Sequence, residues 1–521
     1  MAKVYYHKFL AVLAVLGVLV GLAGRCLILG ISFEYDEIFT AISANPAVSF
    51  PYIWTHYLMV DVHPPLYNFL LWVYNHVVPY GPEWVLRWPS WIFSVTALFL
   101  AWKLFPRYLG KTAQWLFVLL LSCNFYMLLY AQHARVYSWL VCLSVPFTFL
   151  YLQIARRSFK GRSVLRAWWS WYGVFAVLLC WSHYFGALLY GLFSVVLFVL
   201  AWKYKRPLRV FTLVPLLVLI CFLPWLVPNL LYNLSEHRFT GNWWGNQTPL
   251  SWHLVRLWVE FFFTSLKAFY VLIGIGVLGI IYSILRMRKT GVWPYRREIV
   301  LLFVPMAAAG IFVLAVSFKI FWLLWRYFMP FVPSLYLLVA LVIAPICKRY
   351  KEMFLVFLCF VGLSYQFFLK ARPFFWQDHF FPARAAMEIY KGAFPEKDLY
   401  VVALEAFPPQ SMTPMYAFYP QTYFGMKQSV YELFHLPQQE REELLAQRAQ
   451  ALLWMPNCYP LKIDRLAQSW QRSVHIFGNF KNTCFLLVAD DLEQPIDRVQ
   501  LADYAYRFNK YMQLRTRVPN N

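Results

Sequence analysis

Residues 66–78 read LYNFLLWVYNHVV, and whether this stretch crosses a membrane decides the topology of everything after it. It offers 13 residues, whereas a hydrocarbon core is crossed by a helix of about 20 apolar residues. Charge points the same way. If 66–78 spanned, Lys103, Arg107 and Lys111 would fall outside and the later basic clusters would invert with them, against the positive-inside bias. Those clusters are Arg156/Arg157/Lys160/Arg162/Arg166, Lys203/Lys205/Arg206/Arg209, Arg286/Arg288/Lys289/Arg296/Arg297 and Lys348/Arg349/Lys351. The stretch therefore reads as a helix lying along the interface.

Working outward, long apolar runs occupy 9–31, 87–105, 113–130, 136–154, 167–181, 184–202, 210–231, 268–285, 299–317, 323–346 and 353–370, which predicts about 11 transmembrane helices. The first follows Lys3 and Lys8 but is long and lacks a small-residue cleavage site, so it reads as a retained helix. With a cytoplasmic N-terminus, an odd number of spans places everything after Lys370 outside. The chain is 61% hydrophobic and only 14% charged, against about 25% charged in an ordinary soluble domain. A net charge of +23 would suggest nucleic acid in a soluble protein; lodged between apolar runs it reports topology instead, and no nucleic-acid partner is expected.

Two domains follow: a transmembrane domain over 1–370 and a more polar extracytoplasmic domain over 371–521. In the second, 398–404, 451–455 and 473–489 read as strands and 437–449 as a helix, which predicts a small α/β domain. Of the nine cysteines most lie in apolar runs, where a thiol acts as a small hydrophobe. Cys458 and Cys484 do not, and are expected to form a disulfide if the compartment is oxidising, the alternative being two separate thiols.

Ionisable groups are scarce and gather at the helix ends expected outside. FEYDEIFT (33–40) carries Glu34, Asp36 and Glu37; DVHPPLYN (61–68) carries Asp61 and His63 before two stiffening prolines. GPEWVLRWPS (81–90) holds Glu83 and Arg87, YAQHARVYSW (130–139) His133 and Arg135, WSHYFG (181–186) His183, and SFKIFWLLWRYFMP (317–330) Lys319 and Arg326. Basic residues on the outer side run against the orientation bias, and an anionic partner is one reason for them. The alternatives are pairing with the loop acids or snorkelling toward lipid phosphates, and for His183 a packing role among aromatic neighbours.

In order, Asp36-Glu37, His63-Pro64-Pro65-Leu66-Tyr67, Arg87-Trp88-Pro89-Ser90, Gln132 to Tyr137, His183-Tyr184-Phe185 and Arg326-Tyr327 resemble the motifs of GT-C membrane glycosyltransferases. The likeness is to family 39-like bacterial relatives of protein O-mannosyltransferases and lipid A aminoarabinose transferases, and spans about the first 370 residues. It implies a GT-C-like polytopic α-helical fold with interfacial helices in the first outer loop. It also implies a polyprenyl-phosphate sugar donor and inverting transfer, with Asp36 as base. The chain departs from the pattern where His133 stands in place of an acid, and where Ile38-Phe39 follows the Asp-Glu pair without the Arg-Tyr of aminoarabinose transferases.

The residue types suit that chemistry. A hydroxyl acceptor gains from a carboxylate that takes its proton, and a phosphate leaving group needs cations rather than an acid. Asp36 is the expected base, with Glu37 and His63 orienting it or the acceptor. Arg326, Arg135 and Lys319 are expected at the donor phosphate, Arg87 there or bracing Glu83, and Asp61, Glu83 and His183 near substrate. No cofactor is expected to be required; Asp36, Asp61 and His63 offer ligands for a divalent cation, but their spacing matches no defined site. Expected partners are the lipid-linked donor, membrane lipid and a hydroxyl acceptor that is a glycan, lipid or protein. The expected location is a bacterial cytoplasmic membrane. The competing classes are a flippase for lipid-linked sugars and a glycan ligase or polymerase. A transporter site would usually lie near the bilayer midplane in repeated halves, and neither sign is present.

Overall fold

The computed structural model describes residues 15–27, 29, 33, 35–59, 61, 63–81, 83–105, 109–235, 252–317, 325–347 and 362, with five strands beyond them. The chain forms two compact units, one of Met1–Leu29, Pro46–Val77 and Arg87–Leu369, the other of Gly30–Asn45, Val78–Leu86 and Lys370–Asn521.

Among the described residues of the chain, seven helices are long and apolar enough to cross a bilayer: Glu83–Leu104, Tyr137–Phe159, Tyr184–Lys203, Leu208–Ser235, Leu266–Thr290, Arg296–Ala315 and Arg326–Ile343. Val15–Gly24, Lys111–Cys123 and Arg166–Ser182 are shorter. Of the expected span 353–370 only Gly362 is described. The 66–78 stretch forms a helix over Leu66–Asn75, about 15 Å long at 1.5 Å per residue and half of what a crossing needs.

Tyr137–Phe159 is the axle of the first unit, buried over 83% of its apolar stretch, while Leu208–Ser235 and Leu266–Thr290 are buried over 22% of theirs. A helix that is apolar all round can be enclosed by others, and this one is also tied sideways. Thr148 shares a hydroxyl hydrogen bond of 2.8 Å with Ser334, and the Tyr151 hydroxyl donates to the Leu301 carbonyl at 2.9 Å. Such interhelical bonds contribute roughly 0.6 kcal/mol each inside a bilayer.

Two expected spans differ from a plain helix. The run 113–130 breaks at Asn124, whose extended backbone (φ −67°, ψ 131°) ends Lys111–Cys123 and starts Phe125–Tyr130. The Asn124 side-chain oxygen accepts from the Tyr126 and Met127 amides, while its nitrogen donates to the Phe261 and Phe262 carbonyls and to the Thr264 hydroxyl. One side chain thus satisfies orphan groups at the start of one helix and the end of Trp252–Phe263. Thr264 is held at φ +70°, a region a β-branched residue rarely enters, and its hydroxyl accepts from the Phe125 amide. Asn124→Ala is expected to cost about 2–4 kcal/mol, summing a lost cap and the loss of the Asn124 donor to the Phe261 carbonyl, while the Phe262 carbonyl keeps the Tyr336 hydroxyl at 2.7 Å. Thermal unfolding in detergent checks this, and an unchanged midpoint would contradict it. The second difference is the run 323–346, which enters as a 3-10 turn over Trp325–Phe331 before the helix Val332–Ile343. Pro330 and Pro333 withhold amide hydrogens at that transition.

In the second unit, Tyr35–Ser43 is helical and the Tyr80 hydroxyl donates to the Ala41 carbonyl at 2.9 Å. Strands β1 (Leu399–Val401), β2 (Val430–Glu432), β3 (Gln450–Met455), β4 (Ser473–Phe480) and β5 (Thr483–Ala489) form one mixed sheet of order β2-β1-β3-β5-β4. β1 is parallel to β2 and β3, and β5 is antiparallel to β3 and β4. The single strand expected over 473–489 is therefore a hairpin, with an irregularity at Ile476/Gly478. The helix expected over 437–449, Cys458 and the side chain of Cys484 lie outside the described residues.

Candidate active site

Helices Arg166–Ser182 and Tyr184–Lys203 are joined by one residue, His183, in extended backbone. The join is tight because Gly186 packs against the Leu179 carbonyl, where an added Cβ would collide. His183 caps the second helix: its Nδ1 accepts from the Phe185 amide at 3.1 Å. The imidazole is buried, 3% exposed. Its ring lies 5.1 Å from that of His63 and 5.2 Å from that of Tyr327, between centroids.

His63 reaches this point from the loop before Leu66–Asn75. Its Nδ1 lies 3.1 Å from the Asp61 carboxylate, both side chains being nearly buried, an arrangement that fixes the ring and favours a proton on Nδ1. The loop is held by Asn229 of helix Leu208–Ser235. The Asn229 amide nitrogen donates to the Met59 and Asp61 carbonyls at 3.1 and 2.9 Å, and its oxygen accepts from the Tyr184 hydroxyl at 2.6 Å. The neighbour of His183 is thereby tied to the loop carrying Asp61 and His63.

A second chain joins three sequence motifs. The Tyr67 and Ser90 hydroxyls lie 2.7 Å apart, and Ser90 donates to the Arg135 carbonyl at 3.3 Å. Arg135 is buried just before helix Tyr137–Phe159, and Arg326 sits half-buried on the 3-10 turn beside Tyr327. Burial first, then His63, Arg135 and Arg326, hold the His183 imidazole well below the usual histidine range, so it is neutral at pH 7. Asp61, His63, Arg135, His183, Arg326 and Tyr327 thus form one locus in the first unit. The guanidinium groups of Arg135 and Arg326 both act on this locus, a setting suited to an anion.

The remaining candidates lie on other elements. Asp36 and Glu37 are adjacent in the first turn of Tyr35–Ser43, half-buried and buried respectively. Successive helical positions face about 100° apart, so the pair cannot present both carboxylates to one point. Glu83 is buried in the first turn of Glu83–Leu104, where the helix dipole favours an acid. All three belong to the second unit. Arg87 is buried and donates to the Leu29 carbonyl at 3.0 Å, which gives it a tie to the chain itself. Glu34 and Lys319 lie outside the described residues. Among the described residues no three His, Cys, Asp or Glu side chains converge as a metal site.

Sequence reasoning missed Asn229. The available signal was an amide in an otherwise apolar, proline-interrupted helix (LVPNLLYNLS, 226–235), since polar groups in such helices are seldom idle.

No protein-family model and no curated protein sequence matches the chain. Among solved structures, it is similar to ArnT from Cupriavidus metallidurans bound to undecaprenyl phosphate, with TM-score 0.48 and 15% identity over 92% of this chain and 98% of that one. It is also similar to the archaeal oligosaccharyltransferase AglB from Archaeoglobus fulgidus, in complex with an inhibitory peptide and a dolichol-phosphate. There the TM-score is 0.46 and the identity 14%, over 95% of this chain and 75% of that one. At this degree of likeness, the functional reading rests on the chain's own residues.

Proposed function

We propose that this chain is an inverting glycosyltransferase that moves a hexose or pentose from a polyprenyl-phosphate donor to a hydroxyl acceptor at the outer face of a bacterial cytoplasmic membrane. The observation that carries the proposal is the gathering of Arg135 and Arg326 around buried His183, beside the Asp61–His63 pair. Cations set among apolar helices suit a ligand with an anionic head and a hydrocarbon tail. In the reaction the acceptor oxygen attacks the anomeric carbon as the bond to the phosphate breaks and its electrons pass to the phosphate. Arg135, Arg326 and Lys319 stabilise that growing charge. Asp36 takes the acceptor proton, and Glu37 and His63 orient the reacting groups. Asp61 fixes the His63 ring. The basic clusters along the chain support cytoplasmic loops opposite this site.

The test is transfer of radiolabelled sugar from a panel of polyprenyl-phosphate sugars by the purified protein in detergent, with membrane extract as acceptor. Detergent removes any meaning from vectorial transport, so label moved to acceptor separates a transferase from a flippase. Donor bound without any transfer, across the whole panel, would count against the proposal.

A further inference from the structure

The Nδ1 atom of His183 accepts the Phe185 amide hydrogen, which leaves the neutral ring its proton on Nε2. That Nε2 atom is buried and has no hydrogen-bonding partner among the described residues. A buried N–H left without an acceptor is costly and uncommon. Around it stand the rings of His63, Tyr327 and Phe185. The charges acting on the ring are those of Arg135 and Arg326, with His63 held by Asp61. A donor maintained beside two guanidinium groups suits an acceptor atom that is itself negative.

We infer that the Nε2–H of His183 donates to an oxygen of a phosphate ester, the phosphate of the lipid donor. This rests on the glycosyl-transfer reading above for the identity of the lipid, though the hydrogen bond itself needs no turnover. Phosphate oxygens in the bound ester only accept, matching a ring that only donates at this atom. Because the ring stays neutral, it adds direction without adding repulsion to the two guanidinium groups. As the sugar leaves and charge builds on the phosphate, the same bond strengthens.

The experiment compares binding of labelled undecaprenyl phosphate to full-length wild type, His183→Asn and His183→Gln in detergent at pH 7. Asn caps a helix as well as any residue, so it replaces the Nδ1 function, but its short amide does not reach the Nε2 position. Loss of one hydrogen bond to a charged acceptor predicts at least about tenfold weaker binding by the Asn variant. The Gln amide does reach that position and is expected to recover part of the loss. If the Asn variant does not fold, Ser, which also caps and donates nothing there, takes its place.

Equal binding by wild type and the Asn or Ser variant would overturn the assignment, as would absence of binding to wild type. Inorganic phosphate is run as competitor; displacement of the lipid at comparable concentration would keep the His183 donor and assign it to free phosphate. The two readings can fail separately. Weaker binding in the Asn variant, with no transfer from any donor, would remove the reaction and leave the hydrogen bond; normal transfer with unchanged binding would do the reverse.

Discussion

Asn in place of Asp36 is expected to reduce sugar transfer by about 100-fold to 10,000-fold, the range a positioned proton acceptor supplies. The amide occupies the same volume as the carboxylate but cannot take the proton of the attacking hydroxyl. Folding should survive. The Asp36 backbone carbonyl, which accepts from the Thr40 hydroxyl at 3.1 Å, is untouched, and removing an acid from the first turn of a helix costs about 0.3–1 kcal/mol. The measurement is initial transfer rate against the amount of monodisperse protein. Normal turnover would show that the base is another group, and His63, ordered by Asp61, would be the next to change.

Arg25→Leu is expected to be the most damaging change to the fold. Arg25 follows helix Val15–Gly24 and is 1% exposed. Its guanidinium donates to the Ser94 hydroxyl at 2.8 Å, to the Gly21 and Ser122 carbonyls at 2.8 Å, and to the Leu121 carbonyl at 2.9 Å. Leu121 and Ser122 lie in the last turn of Lys111–Cys123, where carbonyls lack helical donors because the chain breaks at Asn124. A cation is the favoured cap at that end. Leucine fills the space and strands those oxygens where water does not reach, for a loss of about 3–5 kcal/mol. Gly21 sharpens the dependence, since it packs so closely on Ser122 that no side chain fits. Expression of folded protein and its thermal midpoint in detergent provide the readout, and wild-type values in both would refute the argument.

These two residues show what the sequence made legible and what it did not. Asp36 stood out as a candidate because an acid just beyond a long apolar run is unusual, as did His63 before Pro64-Pro65 and Arg326 among aromatics. The break at Asn124 was hidden in LLLSCNFYMLLY (119–130), because one asparagine does not interrupt hydropathy and membrane helices tolerate polar residues whose partners lie on other helices. Arg25 was hidden likewise within 9–31. Its partners stand 69 to 97 positions away or on its own helix, a relation that periodicity does not encode. The sheet was partly legible as apolar runs, while its order was not, since parallel pairing depends on crossovers rather than on local pattern.

The one-residue link at His183 bears on the speed and selectivity of recognition. A side chain on a long loop must surrender its freedom when a ligand arrives, and that loss is subtracted from the affinity. Here the ordering is completed during folding, when the two helices close on Gly186 and the ring caps its own helix. The site accordingly has little ability to adapt its shape, so a lipid whose phosphate rides a few ångströms higher or lower would gain little from it. With the donor phosphate held by His183 as proposed, depth in the bilayer, set by the length and seating of the hydrocarbon tail, would become a means of choosing among lipids that share the same head group.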